Sequence, residues 1–303
     1  NRKKRIFLFF IVTGVLLVAA IFRWRALYQV ETLDEAVLAA GRNMPAGSCL
    51  VIMNPFVIVS DVSSNQLSQA TDMLALAGSK CRKLTGEKRA GRTRPVRVYY
   101  FKNVSAYRVC YQKMFGSEPP SDLGMSSPDL RLIFGSADIG CGTLAHEVVH
   151  ILVMDDWSGL PGWFNESLAV GLGCPSVGYI MSRQTFIKDI HMYCAQLSIK
   201  TGKWTPLAQA VKDTGPDYGR EDTTAIDVGS GRIMYVGPLN TCRMFVRWLD
   251  ETGRLSVFYQ TFRDSGNVET ALKIFQGKTL EEIDTDLKNW LLSHNENSLL
   301  QAI

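Results

Sequence analysis

The segment 143–154 is apolar on almost every side, yet it contains two of the chain's four histidines, four positions apart. A segment of this length that is apolar around its whole circumference is typical of a buried helix. Positions i and i+4 of a helix lie one above the other, about 6 Å apart, so the imidazoles of His146 and His150 would share one face. Because buried imidazoles need polar partners, the sequence predicts a core helix that presents two nitrogen atoms to a common partner.

A metal ion is the partner that this spacing favours, because imidazoles at i and i+4 can meet at one ion with bonds of about 2.0–2.1 Å. Glu147 is turned about 100° from His146, so its carboxylate would lie beside the ion, within reach of a water molecule there. The alternative is that both histidines are core residues satisfied by ordinary hydrogen bonds. Zinc requires a third protein ligand, so the metal hypothesis needs another side chain nearby.

Glu166 offers that third ligand, sixteen positions after His150, in a short predicted helix that follows a Gly-Leu-Pro-Gly turn. Two antiparallel helices joined by this turn would bring Glu166 beside the histidines. The alternative is an exposed surface carboxylate. Trp163, Phe164 and Leu168 surround it with apolar residues, which argues against a bare surface helix.

These residues carry a family resemblance. His-Glu-x-x-His followed by Pro-x-Trp-Phe-x-Glu-x-Leu-Ala resembles the gluzincin metallopeptidases and, more narrowly, the bacterial peptidase MA-like domains. The resemblance covers about residues 50–292 and includes a strand ending at Ser60-Asp61, a long helix to Gly86, and a further strand and helix before the motif. Ser167 departs from the pattern, since many relatives have Gly after the glutamate, but a small residue still fits.

The resemblance implies zinc (Zn²⁺) bound by His146, His150 and Glu166, with Glu147 as the catalytic base. Three protein ligands leave a fourth position for water, whose pKa zinc lowers toward about 7. Glu147 would take the proton of that water, and the substrate would be a peptide or protein. Gluzincins of this kind often have a tyrosine before a later helix. Tyr235 matches that place and would donate to the developing oxyanion.

Hydrophobic patterns along the chain predict an α+β fold: a small mixed sheet with an active-site helix, then a mostly helical carboxyl-terminal part. Strands are expected at 56–60, 96–101 and 129–134, and helices at 31–40, 63–84, 104–115, 143–154, 163–172, 186–197, 207–211, 239–253 and 279–291. Strand 129–134 resembles the sheet edge on which zincins place an extended substrate. The polar loop 215–232 is long enough to suggest a role in substrate access.

The first 25 residues indicate a membrane anchor. Residues 6–22 form a run without charges, at the short end of a transmembrane span, and Trp24 between two arginines suits an interface. Four basic residues precede the run and two follow, which would keep the start in the cytoplasm and place 26–303 on the periplasmic or extracellular side. The alternative is a cleaved signal peptide and a secreted enzyme. The expected division is a signal-anchor (1–25), a linker (26–48) and a zincin-like domain (49–303).

The seven cysteines contain no CxxC pair, which disfavours a thiolate metal site. In an oxidising compartment up to three disulfides are expected, and a bridge between Cys141 and Cys174 would tie the two ligand-bearing helices together. The alternative is that the cysteines are small buried apolar residues of a reduced protein.

Charge argues against a nucleic-acid partner. The formal net charge is +4, but six basic residues and no acidic ones lie in residues 1–25, which leaves −2 for 26–303. The sequence therefore predicts a membrane-anchored zinc metallopeptidase. The rival is a protein that holds zinc on a peptidase fold without cleaving, although zinc binding alone does not require Glu147.

Overall fold

The computed structural model describes residues 32–86, 94–173, 179–180, 185–187, 189–212, 224–227, 233–294 and 300–302. The expected α+β class is confirmed. The helices are α1 (Leu33–Arg42), α2 (Ser64–Thr85), α3 (Val104–Phe115), α4 (Gly142–Asp156), α5 (Gly162–Leu168), α6 (Ile190–Lys200), α7 (Leu207–Ala210), α8 (Pro238–Glu251), α9 (Leu255–Ser265), α10 (Val268–Leu272) and α11 (Leu280–Ser293). A π-helical turn (Ala169–Gly173) continues α5, and a 3-10 turn (Lys273–Phe275) follows α10.

The strands form three separate sheets. They are β1 (Cys49–Met53), β2 (Phe56–Ser60), β3 (Val96–Phe101), β4 (Met125–Ser127), β5 (Leu132–Ser136), β6 (Tyr179–Ile180), β7 (Thr185–Ile187), β8 (Thr224–Asp227), β9 (Ile233–Val236) and β10 (Leu300–Ala302). The main sheet has the order β1-β2-β3-β5-β4, with β2, β3 and β5 parallel and both outer strands antiparallel to their neighbours. The smaller sheets have the order β10-β7-β6 and β8-β9.

The alternation of side chains along the strands of the main sheet divides the core in two. Phe56 and Ile58 of β2 face the larger cluster, which includes buried residues of α2, α4, α5, α8 and α9. Val57 and Val59, between them in sequence, face the opposite side, where buried residues of α1 and α3 cover the sheet. The sheet is thus covered by helices on both faces, and α4 is enclosed in the larger core.

The third predicted strand is present, but its start and its place in the sheet differ from the prediction. The segment 129–134 was expected to form a strand at the sheet edge, but β5 begins at Leu132 and lies between β3 and β4 with all five residues buried. Arg131 has a left-handed backbone conformation (φ 52°), and its buried guanidinium donates to the carbonyl oxygen of Pro95 at 2.9 Å. The edge strand on this side of the sheet is instead β4, where the sequence predicted no strand.

Other predicted boundaries hold in part. β2, β3 and α3 have the expected bounds. The helix expected at 163–172 divides into α5 and the π-helical turn, and the one expected from 186 begins at Ile190 because 185–187 form β7. Among the residues described, no helix has the length and apolar character needed to cross a bilayer. The expected span 6–22 lies outside those residues.

The expected disulfides are not found at five of the cysteines that the structure describes. Free thiols are found at Cys49, Cys81, Cys110, Cys141 and Cys194, so Cys141 does not form the bridge to Cys174. Burial raises the pKa of Cys81 and of Cys194 to about 12 and that of Cys110 to about 11. These three thiols are small apolar core residues, which was the alternative interpretation.

Candidate metal centre

Helix α4 places two histidines at the edge of the core. Seven of its fifteen residues are buried, including Leu144 and Val148 on either side of the first histidine. The side chain of His150 is buried and that of His146 is mostly so. The rings of His146 and His150 are 4.7 Å apart between centroids, as expected for positions i and i+4 of one helix.

Glu166 on α5 completes a cluster of three ligand atoms that all lie within 4.8 Å of one another. The Nε2 atoms of His146 and His150 are 3.1 Å apart. Nε2 of His146 lies 3.7 Å from Oε2 of Glu166, and Nε2 of His150 lies 3.5 Å from Oε1. Two ligands of a tetrahedral ion with bonds of 2.0–2.1 Å lie about 3.3 Å apart, so the cluster fits one metal ion. These three residues could hold a metal ion, as the sequence predicted.

Asn165 fixes the ring of His150 for this role. Nδ1 of His150 donates to Oδ1 of Asn165 at 2.9 Å, and the Asn165 amide nitrogen donates to the sulfur of Met154 at 3.9 Å. A proton on Nδ1 leaves the lone pair of Nε2 directed at the ligand cluster. This partner was not predicted from the sequence. Its position directly before Glu166, in the predicted ligand helix, was the available signal.

The two acids at the end of α4, which are close to the histidines in sequence, bond elsewhere. Asp155 forms an ion pair with Arg131. Asp156 accepts from the hydroxyl of Tyr259 at 2.9 Å and from Arg263 at 2.6 Å, which ties the end of α4 to α9. Both acids therefore hold the end of the helix in place.

Aromatic packing fixes the turn between the two ligand helices. Trp157, after α4, packs against Phe262 of α9 with ring centroids 5.0 Å apart. Phe164 of α5 packs against Phe258 at 5.6 Å, and Trp163 stacks on Phe262 at 5.9 Å. This cluster buries Trp163 and Phe164 of α5.

The π-helical turn after α5 approaches α4 very closely. All five of its residues are buried. A Cβ atom on Gly173 would lie 2.5 Å from the carbonyl oxygen of Ala145, the residue before His146. Only glycine allows backbone contact at this distance, so the turn fixes the separation of the helices that carry the ligands.

Glu147 lies beside the cluster and is not part of it. The hydroxyl of Ser126, on β4, donates to Oε2 of Glu147. Burial raises the pKa of Glu147, while the nearby His150 and the hydrogen bonds from Ser126 oppose that shift. A half-buried carboxylate of this kind is a better proton acceptor than one in water.

His146 is held in the neutral form that metal binding requires. Burial, with the neighbouring His150, Arg243 and His191, lowers the pKa of His146 to about 3. His191 on α6 has a pKa of about 4, lowered first by burial and then by Arg243. His191 is not a member of the ligand cluster. Arg243, on α8, is a cation near the site that the sequence analysis did not find.

Tyr235 lies in β9, directly before α8, where the resemblance placed a tyrosine ahead of a helix. Its backbone pairs with Ala225 of β8. Its side chain is outside what the structure describes, so its contact with the site stays a prediction. Of the loop 215–232, the described part is Thr224–Asp227, which forms β8.

No family model matches this chain, and no curated protein matches it in sequence. The function therefore has to be argued from the chemistry of the site.

Proposed function

We propose that this chain is a zinc-dependent metallopeptidase of the gluzincin type, with a zincin-like fold and a peptidase MA-like arrangement of its ligands. One observation carries the proposal: His146, His150 and Glu166 converge from two helices, while Glu147, which is not a ligand, is held beside them. Two histidines and a glutamate are a common ligand set of catalytic zinc sites. A site that only stored zinc would not need the additional carboxylate.

A zinc ion bound there would supply a Lewis acid for the substrate carbonyl and would lower the pKa of a water molecule. The protein does the rest. Asn165 holds His150 in the tautomer that binds metal. Glu147 accepts the proton of the attacking water and later passes it to the leaving amine. Tyr235 is proposed to donate to the oxyanion that develops on the carbonyl oxygen as the carbon becomes tetrahedral.

The substrate is proposed to be an extended polypeptide that binds along β4. This strand pairs with β5 on one side, and no described strand pairs with its other side. An unpaired strand edge can bind a peptide by main-chain hydrogen bonds. The side chain of Ser126 in β4 contacts Glu147, so a peptide on this edge would pass close to the catalytic base.

Residues 6–22 are proposed to anchor the enzyme, with 26–303 on the non-cytoplasmic side. The support is the charge asymmetry around this run, because the five free thiols lend no support to an oxidising compartment. Protease digestion of right-side-out and inside-out vesicles tests the orientation. Digestion of the domain from the cytoplasmic face would contradict it.

The catalytic proposal is tested with the purified full chain and fluorescein-labelled casein. Casein should be cleaved, a zinc chelator should abolish cleavage, and added Zn²⁺ should restore it. A chain that binds one zinc ion but cleaves neither casein nor a mixed peptide library would instead be the zinc-holding, non-catalytic protein.

A further inference from the structure

The edge strand β4 is connected to Glu147 through a single residue. Ser126 is the middle residue of β4 and pairs with Ile133 of β5. Its hydroxyl donates to Oε2 of Glu147, and its main chain also bonds this carboxylate. Ser126 would therefore lie alongside a bound peptide, and the same residue holds the side chain of Glu147 beside the metal ligands.

The hydrogen bond from Ser126 restricts the conformations that the side chain of Glu147 can adopt. A glutamate side chain has three rotatable bonds, and a half-buried carboxylate needs donors in fixed places. Ser126 bonds Oε2, so Oε1 remains to accept a proton. Each orientation that Glu147 could otherwise adopt would lower the fraction of molecules with the base in reach of the water.

We propose that Ser126 is a positioning residue: its hydroxyl holds Glu147 in the orientation that lets it act as the base, directly beneath the strand edge that receives the peptide. This inference rests on the proposed peptidase function. It adds that the strand that binds the peptide also orients the base, so binding and catalysis share one structural element. Ser126 acts through Glu147 and is not itself expected to touch the reacting atoms.

The neighbouring serine provides a matched control. Ser127 lies on the same strand, one position along, and pairs with Leu132. Successive strand residues point to opposite faces, so Ser127→Ala removes the same atom from β4 on the other face. A loss of activity caused by a change in the strand edge alone would then occur in both Ser126→Ala and Ser127→Ala. A loss caused by a change in the orientation of Glu147 would occur only in Ser126→Ala.

The experiment measures casein cleavage by zinc-loaded full chain. Ser126→Ala should lower kcat about tenfold to hundredfold, the effect of losing a hydrogen bond to a charged group, with KM and zinc content unchanged. Ser126→Thr keeps the hydroxyl and should restore most of kcat. Ser127→Ala should lose much less kcat than Ser126→Ala, because it leaves the hydrogen bond to Glu147 in place. In a Glu147→Gln background, Ser126→Ala should cause no further loss, because the residue acts through the carboxylate.

An unchanged kcat in Ser126→Ala, no rescue by threonine, or an equal loss in the Glu147→Gln background would overturn the inference. Crystal structures of the zinc-loaded parent and Ser126→Ala test it even if the parent does not cleave casein, a result that would count against the proposed function alone. Glu147 should have one orientation in the parent and several in the variant. The same single orientation in both would overturn the role of Ser126.

Discussion

The two helices that carry the ligands are held in place in opposite ways. α4 has fifteen residues and lies between the main sheet and the helices of the larger core, so the positions of its two histidines follow from helical geometry alone. α5 has seven residues, too few to be stable alone, and it is held by aromatic packing against α9 and by the close contact at Gly173. The two histidines on α4 are therefore positioned by local helical geometry, whereas the position of Glu166 on α5 depends on contacts with residues distant in sequence.

Removing the ligand on α5 should have the largest effect. Glu166→Ala leaves two imidazoles, which are too few for a stable zinc site, so stoichiometric zinc should be lost while the helical circular dichroism is unchanged. Metal analysis after dialysis measures this. The matched control is Glu251→Ala, a carboxylate on α8 outside the ligand cluster. Full zinc content in Glu166→Ala would place the third ligand elsewhere and would show that α5 does not supply it.

The burial of His146 on α4 should change how the free energy of unfolding of the metal-free protein depends on pH. Unfolded His146 takes up a proton near pH 6.5, while folded His146 does so only near pH 3. The unfolded state therefore binds more protons between these values, and stability falls as the pH is lowered through this window. Denaturant titrations should show the parent losing about 1.4 kcal/mol per pH unit more than His146→Gln. Equal slopes would mean that His146 is not desolvated.

Removing the hydrogen bond that α4 donates to α5 should weaken zinc binding less than removing a ligand does. Asn165→Ala removes the partner of Nδ1 of His150 but keeps all three ligands. Loss of such a partner typically lowers metal affinity about 10–100-fold. Competition with a fluorescent zinc chelator measures the change, and Asn165→Asp, which keeps an acceptor, should retain tight binding. Unchanged affinity in Asn165→Ala would show that α4 fixes the ring by itself.

The close approach of the π-helical turn predicts a smaller effect on stability. Gly173→Ala places a methyl group against the carbonyl of Ala145, so the turn must move. Overpacking of this kind costs about 1–3 kcal/mol and should also weaken zinc binding, because α5 moves with the turn. Gly41→Ala, with open space around the added atom, is the control. A parent-like free energy of unfolding in Gly173→Ala would show that the contact does not position α5.

The difference between local geometry and contacts distant in sequence also explains which features could be predicted from the sequence. β2, β3 and α3 have strong local patterns and were placed correctly. β4 was missed because Met-Ser-Ser carries no strand pattern of its own and becomes a strand only by pairing with β5. The start of β5 was misplaced because Arg131 is buried through bonds to carbonyl groups of another segment. Tertiary contacts, which no local pattern encodes, decided both positions.

The same holds for the site. The spacing of His146 and His150 was sufficient to propose them, because helical periodicity alone brings them together. The partners of the site, Asn165 for His150 and Ser126 for Glu147, became visible only in the folded chain. Each joins two elements whose relative position depends on packing.

The measurement that tests the central claim most directly is zinc content and casein cleavage of Glu147→Gln beside the parent. The amide has the same shape but cannot accept a proton, so the variant should bind one zinc ion per chain and cleave about 10²–10⁴-fold more slowly. Cleavage by zinc-loaded Glu147→Gln at the parental rate would contradict the account.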